Sequence, residues 1–374
     1  MKDLAALELH YLLKELMFLK GAKVDKIYHP HKREVLLQFY VKGKGKQLLR
    51  ICIPEVMYLS SYKQEQPEKP SQFCVVLRKY LDNTFLVEIN QLGFERIVEF
   101  VFEGRGERYK LMVELFSKGN IVLCKEDDTI IMPLEVQQWS IRTIKPKETY
   151  LYPKQDVNFL ELTKDGLTEL LKKSKKMVVK TLARNLGLGG VYAEEMCLRA
   201  GIDKTKIDVD EREIILLYKA AEQLKSERGS PTIVHENGTV KDIVPIDVRN
   251  YDGLEKSDAK SYNEALDAVL TKRLAREEKS EKLSKQERQI SKVKTIIDKQ
   301  EEYVKKLERD SEESTKKAEL LYHNYTLVDT MLKDLRKARK TRSWKEIKEK
   351  LKGHKVVKQI NEKNKEVMIA LDEK

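Results

Sequence analysis

The 374-residue sequence lacks the features that most directly reveal a function. It contains no run of about 18 apolar residues, which argues against a transmembrane helix. The amphipathic first residues do not have the pattern of a signal peptide, so we expect a cytoplasmic protein. Cysteine is scarce, and buried reduced thiols are expected because no pair has the spacing of a CxxC metal knuckle: Cys52, Cys74, Cys124 and Cys197.

The side-chain sets that carry out most enzymatic chemistry are also missing. The sequence shows no Ser–His–Asp arrangement, no paired carboxylates and no G-x-G-x-x-G fingerprint. The stretch GKGK at 43–46 lacks the following Ser or Thr and the helix of a phosphate-binding loop. The histidines show no HExxH or similar metal-binding spacing. We therefore predict no catalytic residues, no cofactor, no metal and no autonomous enzyme activity.

Charge is what the sequence has in abundance. Charged residues make up 36% of the chain, and 73 Lys and Arg residues outnumber 61 Asp and Glu residues, which gives a net charge of +12. Such a basic balance favours a polyanionic partner: RNA, DNA or an anionic membrane surface. The length predicts two or three domains.

The first 150 residues alternate between short apolar segments and turns. An amphipathic helix is predicted at 3–19 and a second helix at 73–81. Glycine-containing turns separate strand candidates at 24–29, 34–41, 46–53, 84–90, 95–103 and 109–115, and a hairpin over 119–135. This pattern predicts a compact, mostly antiparallel α+β domain.

A helical region at 163–203 is interrupted by the sequence NLGLGGVYA. The spacing of Gly187, Gly189 and Ala193 matches a helix–hairpin–helix motif, in which glycines let backbone amides approach a phosphate at a helix N-terminus. An ordinary turn between two helices is the simpler alternative. Basic residues that could also contact phosphate precede the hairpin: Lys172, Lys173, Lys175 and Lys176.

Two further patterns follow along the chain. Short strands around Asn237-Gly238 predict a hairpin that returns to pair with the first domain, so the helix–hairpin–helix region would be an insertion. From about residue 262, apolar residues recur at 3–4 spacing, which predicts one strand of a coiled coil. Such a polar helix requires a return helix or another copy, so we consider self-association in a truncated chain.

The adjacent pair Glu95-Arg96 and the helical Glu8 are candidate binding residues. An arginine can stack on bases or bind phosphate with two hydrogen bonds, and a carboxylate beside it can accept from exocyclic amines. From the residues alone, a structural ion pair on the surface is the simpler interpretation.

Seven stretches together resemble one family, the NFACT proteins, which include bacterial RqcH and eukaryotic NEMF. They are ALELHYLLKEL, PSQFCVVLRKYL, LGFERIVEF, VELFSKGNIVL, IRTIKPKETYLYP, AELLYHNYTLVDTMLKDLRKA and SWKEIKEKL. The archaeal branch fits best. The resemblance implies an NFACT-N domain like that of DNA glycosylases, an inserted helix–hairpin–helix domain, a coiled-coil arm and a small middle domain at its tip. We assign these to 1–160 and 229–262, 161–228, 263–316 and 317–374, with the return coil and NFACT-R domain expected to be absent.

The resemblance also implies a function in ribosome-associated quality control. Family members bind large ribosomal subunits that carry a stalled peptidyl-tRNA. They recruit charged tRNA, mainly alanyl-tRNA, and the ribosome adds C-terminal residues to the nascent chain without mRNA. The family's Asp-Arg pair falls on Glu95-Arg96, and its helical Asp falls on Glu8. Both acids are Glu here, so each carboxylate reaches one methylene further.

Other functions remain open at this stage. A DNA glycosylase of the formamidopyrimidine type shares the N-terminal fold but typically uses Pro as residue 2, where this chain has Lys2. A fibronectin-binding adhesin would need an export signal and an anchor. A coiled-coil scaffold that binds ribosomes or nucleic acid without selecting tRNA is the remaining alternative.

Overall fold

The computed structural model describes residues 3–64, 66–139, 142–153, 157–361, 363–364 and 366–371, without the side chains of 277, 279, 281, 282, 284 and 285. The chain divides into two compact units, Met1–Glu278 and Lys279–Lys374. No helix in the described ranges combines the length and apolar character needed to cross a membrane.

A nine-stranded antiparallel sheet forms the centre of the first unit, as the sequence predicted for its fold class. Its order is β4-β3-β2-β1-β5-β6-β7-β8-β9. The strands are β1 Lys23–His31, β2 Glu34–Val41, β3 Gly45–Cys52, β4 Val56–Leu59, β5 Phe85–Gln91, β6 Ile97–Gly104, β7 Glu107–Glu114, β8 Asn120–Lys125 and β9 Ile130–Pro133. Strand β4 was not predicted, because four residues are too few to show a period.

The two halves of this sheet share one hydrophobic core. Strands β1 and β5 pair only at Lys23 and Phe85, so the halves separate beyond that point. Phe39 of β2 stacks on Phe102 of β6, with ring centroids 6.4 Å apart. Helices α1 (Ala6–Leu16) and α2 (Gln72–Leu81) add leucines to the same core. Burial of these apolar side chains is the main stabilising contribution.

Four helices form a second core beside the sheet. After a short hairpin, β10 (Gln137–Gln138) and β11 (Thr143–Ile144), come α3 Lys164–Lys173, α4 Val178–Asn185, α5 Gly189–Ala200 and α6 Glu211–Ser226. Phe94 and Leu7 from the sheet side are buried in this helical core. The Tyr11 hydroxyl of α1 donates to the carbonyls of Leu224 and Glu227, at 2.9 Å and 3.0 Å. The helical region therefore packs directly on α1.

The hairpin around Asn237-Gly238 forms, but it does not join the large sheet. Strands β12 (Thr232–Glu236), β13 (Thr239–Val244) and β14 (Glu255–Asp258) make a separate sheet of order β13-β12-β14. The expected pairing with the first domain was wrong, because β14 takes the free edge of β12. The connection is made by side chains instead, since Ile243 enters the sheet core while Val234 enters the helical core.

Helix α7 (Tyr262–His323) begins where side chains from the first unit fix it. The Glu15 carboxylate of α1 accepts from the backbone amides of Tyr262 and Asn263, at 2.7 Å and 2.8 Å. The Asn263 side-chain amide exchanges two hydrogen bonds with the backbone of Leu59 at the end of the edge strand β4, at 2.6 Å and 3.1 Å. Glu15 thus supplies the cap that first-turn amides need.

The second unit contains the rest of α7, then α8 (Tyr325–Thr341), α9 (Trp344–Lys350) and a hairpin of β15 (Val357–Asn361) and β16 (Glu366–Ile369). Leu335, Ile347, Val357 and Ile360 form its small core. The apolar positions of α7 are about half exposed: Leu283, Ile290, Val293, Ile297, Val304 and Leu307. The long helix is therefore present, and its coiled-coil pairing stays a prediction.

We expect Glu15→Ala to lower the free energy of unfolding by about 1–2 kcal/mol, because two amides of α7 lose their acceptor. Glu15→Gln retains one acceptor oxygen and should lower the free energy of unfolding by a smaller amount. Urea denaturation followed by circular dichroism measures the difference. Glu264→Ala, an exposed change in the same helical turn, is the control and should stay within about 0.5 kcal/mol. Equal losses for Glu15→Ala and Glu264→Ala would contradict the capping role.

Candidate functional site

A polar cleft of about 690 Å³ opens in the first unit between the sheet and the helical region. The turn between β5 and β6, the start of α1, the α4–α5 hairpin and strand β13 all line it. Its charged residues come from these separate parts of the chain: Asp3, Glu8, Glu95, Arg96, Arg184, Lys241 and Asp242. The structure therefore brings the three predicted tRNA-contacting residues and the two hairpin glycines into one site.

Glu95 and Arg96 lie in a tight turn rather than in a strand, since β6 begins only at Ile97. The Leu92 carbonyl accepts from the Glu95 amide at 3.1 Å. The Gln91 side-chain amide donates to the carbonyls of Ala6 and Glu95, at 2.9 Å and 3.0 Å, which joins this turn to α1. The sequence placed residue 95 at a strand start because alternation alone does not locate a strand end.

The two charged side chains of this turn are half-buried, and their charges interact with each other rather than with a third group in the described part of the chain. Neither the Glu95 carboxylate nor the Arg96 guanidinium forms a hydrogen bond or salt bridge there. Burial raises the pKa of Glu95, and the charge of Arg96 opposes that rise. Polar groups that are partly desolvated without hydrogen-bond partners are costly for folding and are typical of binding sites.

Glu8 lies beneath the cleft, only 2% exposed. One carboxylate oxygen accepts from the backbone amide of Ala5 at 2.9 Å, and the other accepts from the Tyr192 hydroxyl at 2.9 Å. Burial, followed by the Glu8 carboxylate, raises the pKa of Tyr192 well above its usual range. Glu8 is the third residue of α1, where a Glu side chain closes a capping box by accepting from the N-cap amide. A Glu in place of the family's Asp therefore also caps its own helix.

In the α4–α5 hairpin Gly187 approaches the backbone of Phe94 closely, and the predicted contact with a phosphate stays a prediction. Gly187 has a φ of 68°, and a Cβ at this position would lie 3.4 Å from the carbonyl oxygen of Phe94. Phe94 is fully buried and packs on Phe159, with centroids 4.9 Å apart. Residues 187–192 line the cleft, so the first turn of α5, whose amides lack intrahelical acceptors, lies at it.

The four lysines predicted to contact phosphate lie elsewhere on the first unit. Lys172 and Lys173 end α3, Lys175 and Lys176 follow it, and all four are exposed. Lys173 pairs with Glu169 of its own helix. The bases that do line the cleft beside Arg96 are Arg184 and Lys241. No local signal in the sequence marks these two residues, because only the tertiary fold brings β13 and the end of α4 to the turn at 92–96.

No group of three or more His, Cys, Asp or Glu side chains in the described ranges could hold a metal ion. The site offers the Glu95 and Arg96 side chains, which form no hydrogen bond in the described ranges, together with the exposed Arg184 guanidinium and the first turn of α5. This arrangement can bind an anionic polymer through phosphate and read a neighbouring hydrogen-bond donor.

Comparison with known proteins assigns the chain to one family. The chain matches the NFACT N-terminal and middle domains over residues 6–374. It therefore belongs to the NFACT family, which confirms the resemblance seen in the sequence.

Individual relatives agree with this assignment. Archaeal Rqc2 homolog aRqcH of Methanocaldococcus jannaschii is 38% identical over 377 residues, which cover 96% of this chain and 56% of that protein. Rqc2 homolog RqcH of Bacillus subtilis is 28% identical over 233 residues, covering 58% of this chain and 40% of that protein. The human ribosome quality control complex subunit NEMF is 23% identical over 364 residues, which cover 89% of this chain and 34% of that protein. The chain thus spans about half the archaeal relative and less of the others.

Two solved structures share the fold. The N-terminal part of the fibronectin/fibrinogen-binding protein from Streptococcus suis gives a TM-score of 0.60 at 23% identity, covering 72% of this chain and 100% of that one. The fibrinogen binding protein from Staphylococcus aureus gives a TM-score of 0.60 at 19% identity, covering 70% and 97%. At these identities the likeness concerns the fold alone.

We expect Gly187→Ala to destabilise the first unit by about 1–2 kcal/mol, because it places a Cβ in a left-handed conformation against Phe94. Gly190→Ala is the matched control: it lies in the first turn of α5 and its Cβ would meet nothing within 4 Å. It should leave stability unchanged or raise it by up to about 1 kcal/mol. Thermal unfolding compares the two. Equal unfolding temperatures would refute the required conformation at Gly187.

Proposed function

We propose that this protein is a cytoplasmic ribosome-associated quality control factor. It binds large ribosomal subunits that carry a stalled peptidyl-tRNA and recruits charged tRNA, mainly alanyl-tRNA, for mRNA-independent tailing of the nascent chain. Family membership supports this proposal, together with the ribosome quality control names of its relatives. In this proposal peptide-bond formation belongs to the ribosome, and the chain itself contributes binding and selection.

The observation that carries the proposal is the convergence of Glu8, Glu95 and Arg96 with the α4–α5 hairpin. These parts are distant in sequence, and the fold brings them to one cleft. The Glu95 and Arg96 side chains form no hydrogen bond in the described ranges, although their charges interact with each other. A structural ion pair, the simpler interpretation of Glu95-Arg96 from sequence, is the alternative that the Arg96→Ala measurement below tests.

Each part of the cleft has a distinct role in the proposed tRNA complex. Arg96 contacts a phosphate with two hydrogen bonds or stacks on a base. Glu95 accepts a hydrogen bond from a nucleobase amine, which a phosphate cannot supply. The amides at Gly187 and Gly189 bind a second phosphate at the start of α5. Glu8 acts from below by holding Tyr192 of α5 in place.

The mixed charge of the cleft favours selection over general affinity. Four acids and three bases line it, so an RNA backbone placed there without the correct hydrogen-bond donors meets carboxylate repulsion. The exposed lysines at 172, 173, 175 and 176 lie outside the cleft and its carboxylates. They supply sequence-independent contacts to ribosomal RNA or tRNA phosphates in this proposal. In this proposal the half-exposed apolar stripe of α7 pairs with another helix.

We expect Arg96→Ala to weaken tRNA binding about tenfold or more, because a phosphate or base contact is lost from a desolvated site. Filter binding with purified alanyl-tRNA measures this affinity. Arg108→Ala removes the same charge from a residue that pairs with Glu103 on the large sheet and serves as the control. Both variants should fold, since each changes a residue outside the core. An Arg96→Ala protein with the affinity of Arg108→Ala would refute the site.

We further expect tRNA affinity to fall as the pH is lowered. The midpoint of this fall should lie at a higher pH than the pKa of an ordinary glutamate. Burial raises the pKa of Glu95, so the ionised acceptor is present above that pKa and becomes a neutral acid below it. The other charged groups around it in the cleft are Arg96, Arg184, Lys241 and the nearby acids. Glu95→Gln should remove this step from the pH profile. Superimposable profiles for the two proteins would show that Glu95 does not contact the RNA.

A further inference from the structure

A guanidinium surrounded by aromatic rings lies at the edge of the cleft. The Cζ atom of Arg142 is 5.0 Å from the ring centre of Trp139, 5.8 Å from that of Phe116 and 5.9 Å from that of Tyr150. Trp139 is 40% exposed, whereas Tyr150 is buried. We call Phe116, Trp139 and Arg142 the platform. The platform therefore presents an exposed indole beside a cation to solvent.

The platform is fixed from behind by a buried acid. Nη2 of Arg142 donates to the Glu114 carboxylate at 2.9 Å, and the Tyr150 hydroxyl donates to the same carboxylate at 2.8 Å. Glu114 is 1% exposed. The guanidinium plane is therefore set by internal contacts, and a ligand that stacks on the platform orders few additional side chains.

Hydrogen bonds join the platform to the cleft. The amide of Leu115 donates to the carbonyl of Arg96 at 2.7 Å, so the turn after β7 lies against the Glu95-Arg96 turn. The next residue, Phe116, belongs to the platform and also lines the cleft. The Gln137 side-chain amide donates to the carbonyl of Gly119 at 3.0 Å, which holds the β10–β11 hairpin on the same turn. Cleft and platform thus form one continuous surface.

We propose that the platform stacks an unpaired nucleobase of an RNA whose adjoining phosphate lies in the cleft. This inference rests on the proposed function and deepens it, since it selects a single-stranded loop over a duplex. Every base has a flat π face, so stacking on an aromatic ring tolerates any sequence, and an arginine adds a cation to the stack. In a duplex the same faces are already stacked on neighbouring pairs.

The charges of this surface favour RNA over an apolar protein segment. Lys118 is exposed in the turn that carries Phe116. Because the Arg142 guanidinium is paired with Glu114, Lys118 is the cation of this surface that can meet a phosphate. A nucleotide uses the ring through its base and Lys118 through its phosphate. An apolar peptide would use the ring alone and leave the Lys118 charge unmatched.

Tryptophan fluorescence tests the platform directly, because the chain has only two tryptophans, Trp139 and Trp344. In the full chain with Trp344→Phe, Trp139 is the sole emitter. The probes are a fluorescein-labelled RNA stem-loop and a blunt duplex with the same stem, whose binding is followed by anisotropy. We expect the stem-loop to quench Trp139 emission and the duplex to leave it unchanged.

Substitutions provide the second readout. Trp139→Ala should weaken stem-loop binding roughly tenfold and Trp139→Phe by about threefold or less, because phenylalanine retains a stacking face. Duplex binding should not change in either variant. Val136→Ala, which changes a 68% exposed apolar residue close to Trp139 in sequence, is the control and should bind as the parent does.

The outcomes separate this inference from the proposed function. Arg96-dependent stem-loop binding without quenching of Trp139 would overturn the platform and leave the proposed function standing. Failure of the stem-loop to bind the parent protein at all would overturn both. A third outcome would also overturn the nucleobase assignment. In that case the stem-loop does not quench Trp139, and Trp139→Ala binds the stem-loop normally but no longer binds ribosomes. The platform would then be a protein-docking site. The quenching measurement needs no change at Trp139, so it holds even if Trp139→Ala folds poorly.

Discussion

The buried carboxylate of Glu8 joins helices α1 and α5 beneath the cleft. It accepts from the backbone amide of Ala5 at the start of α1 and from the Tyr192 hydroxyl of α5, at 2.9 Å each. Burial raises the pKa of Tyr262 at the start of α7 well above its usual range, and the charge of Glu8 adds to that rise. A buried charge costs several kcal/mol unless its oxygens are satisfied. Loss of either hydrogen bond therefore weakens the compensation of this charge, and the position of α5 depends on the same group that caps α1.

This arrangement gives Glu8 a different role from that of Glu95 and Arg96. The resemblance to the family suggested that all three residues contact the tRNA directly. The structure divides them into two half-buried groups, whose charges interact with each other, and one buried group whose oxygens accept from the start of α1 and from α5. In the proposed complex the tRNA contacts Glu95 and Arg96, while Glu8 holds Tyr192 of α5 from beneath the cleft.

Periodicity was enough to predict most elements of the large sheet and its helices, because buried faces leave a regular apolar pattern. It could not show that β13 and the end of α4 bring Lys241 and Arg184 to the cleft, since no local signal records a tertiary contact. The turn at 92–96 was found through family resemblance, and its geometry required the structure. Trp139 and Arg142 were not selected, because an isolated tryptophan near an arginine is common and only the fold sets them against Phe116 and Glu114.

The most direct test is sequencing of RNA crosslinked to the protein in its own cells, for the parent chain and for the Glu95→Ala/Arg96→Ala double variant. We predict that the parent yields large-subunit ribosomal RNA together with a small set of tRNA species. The double variant should retain the ribosomal RNA and lose the tRNA. Equal recovery of the same tRNA species from both proteins would contradict the role of the cleft. Absence of tRNA from the parent itself would contradict tRNA recruitment altogether.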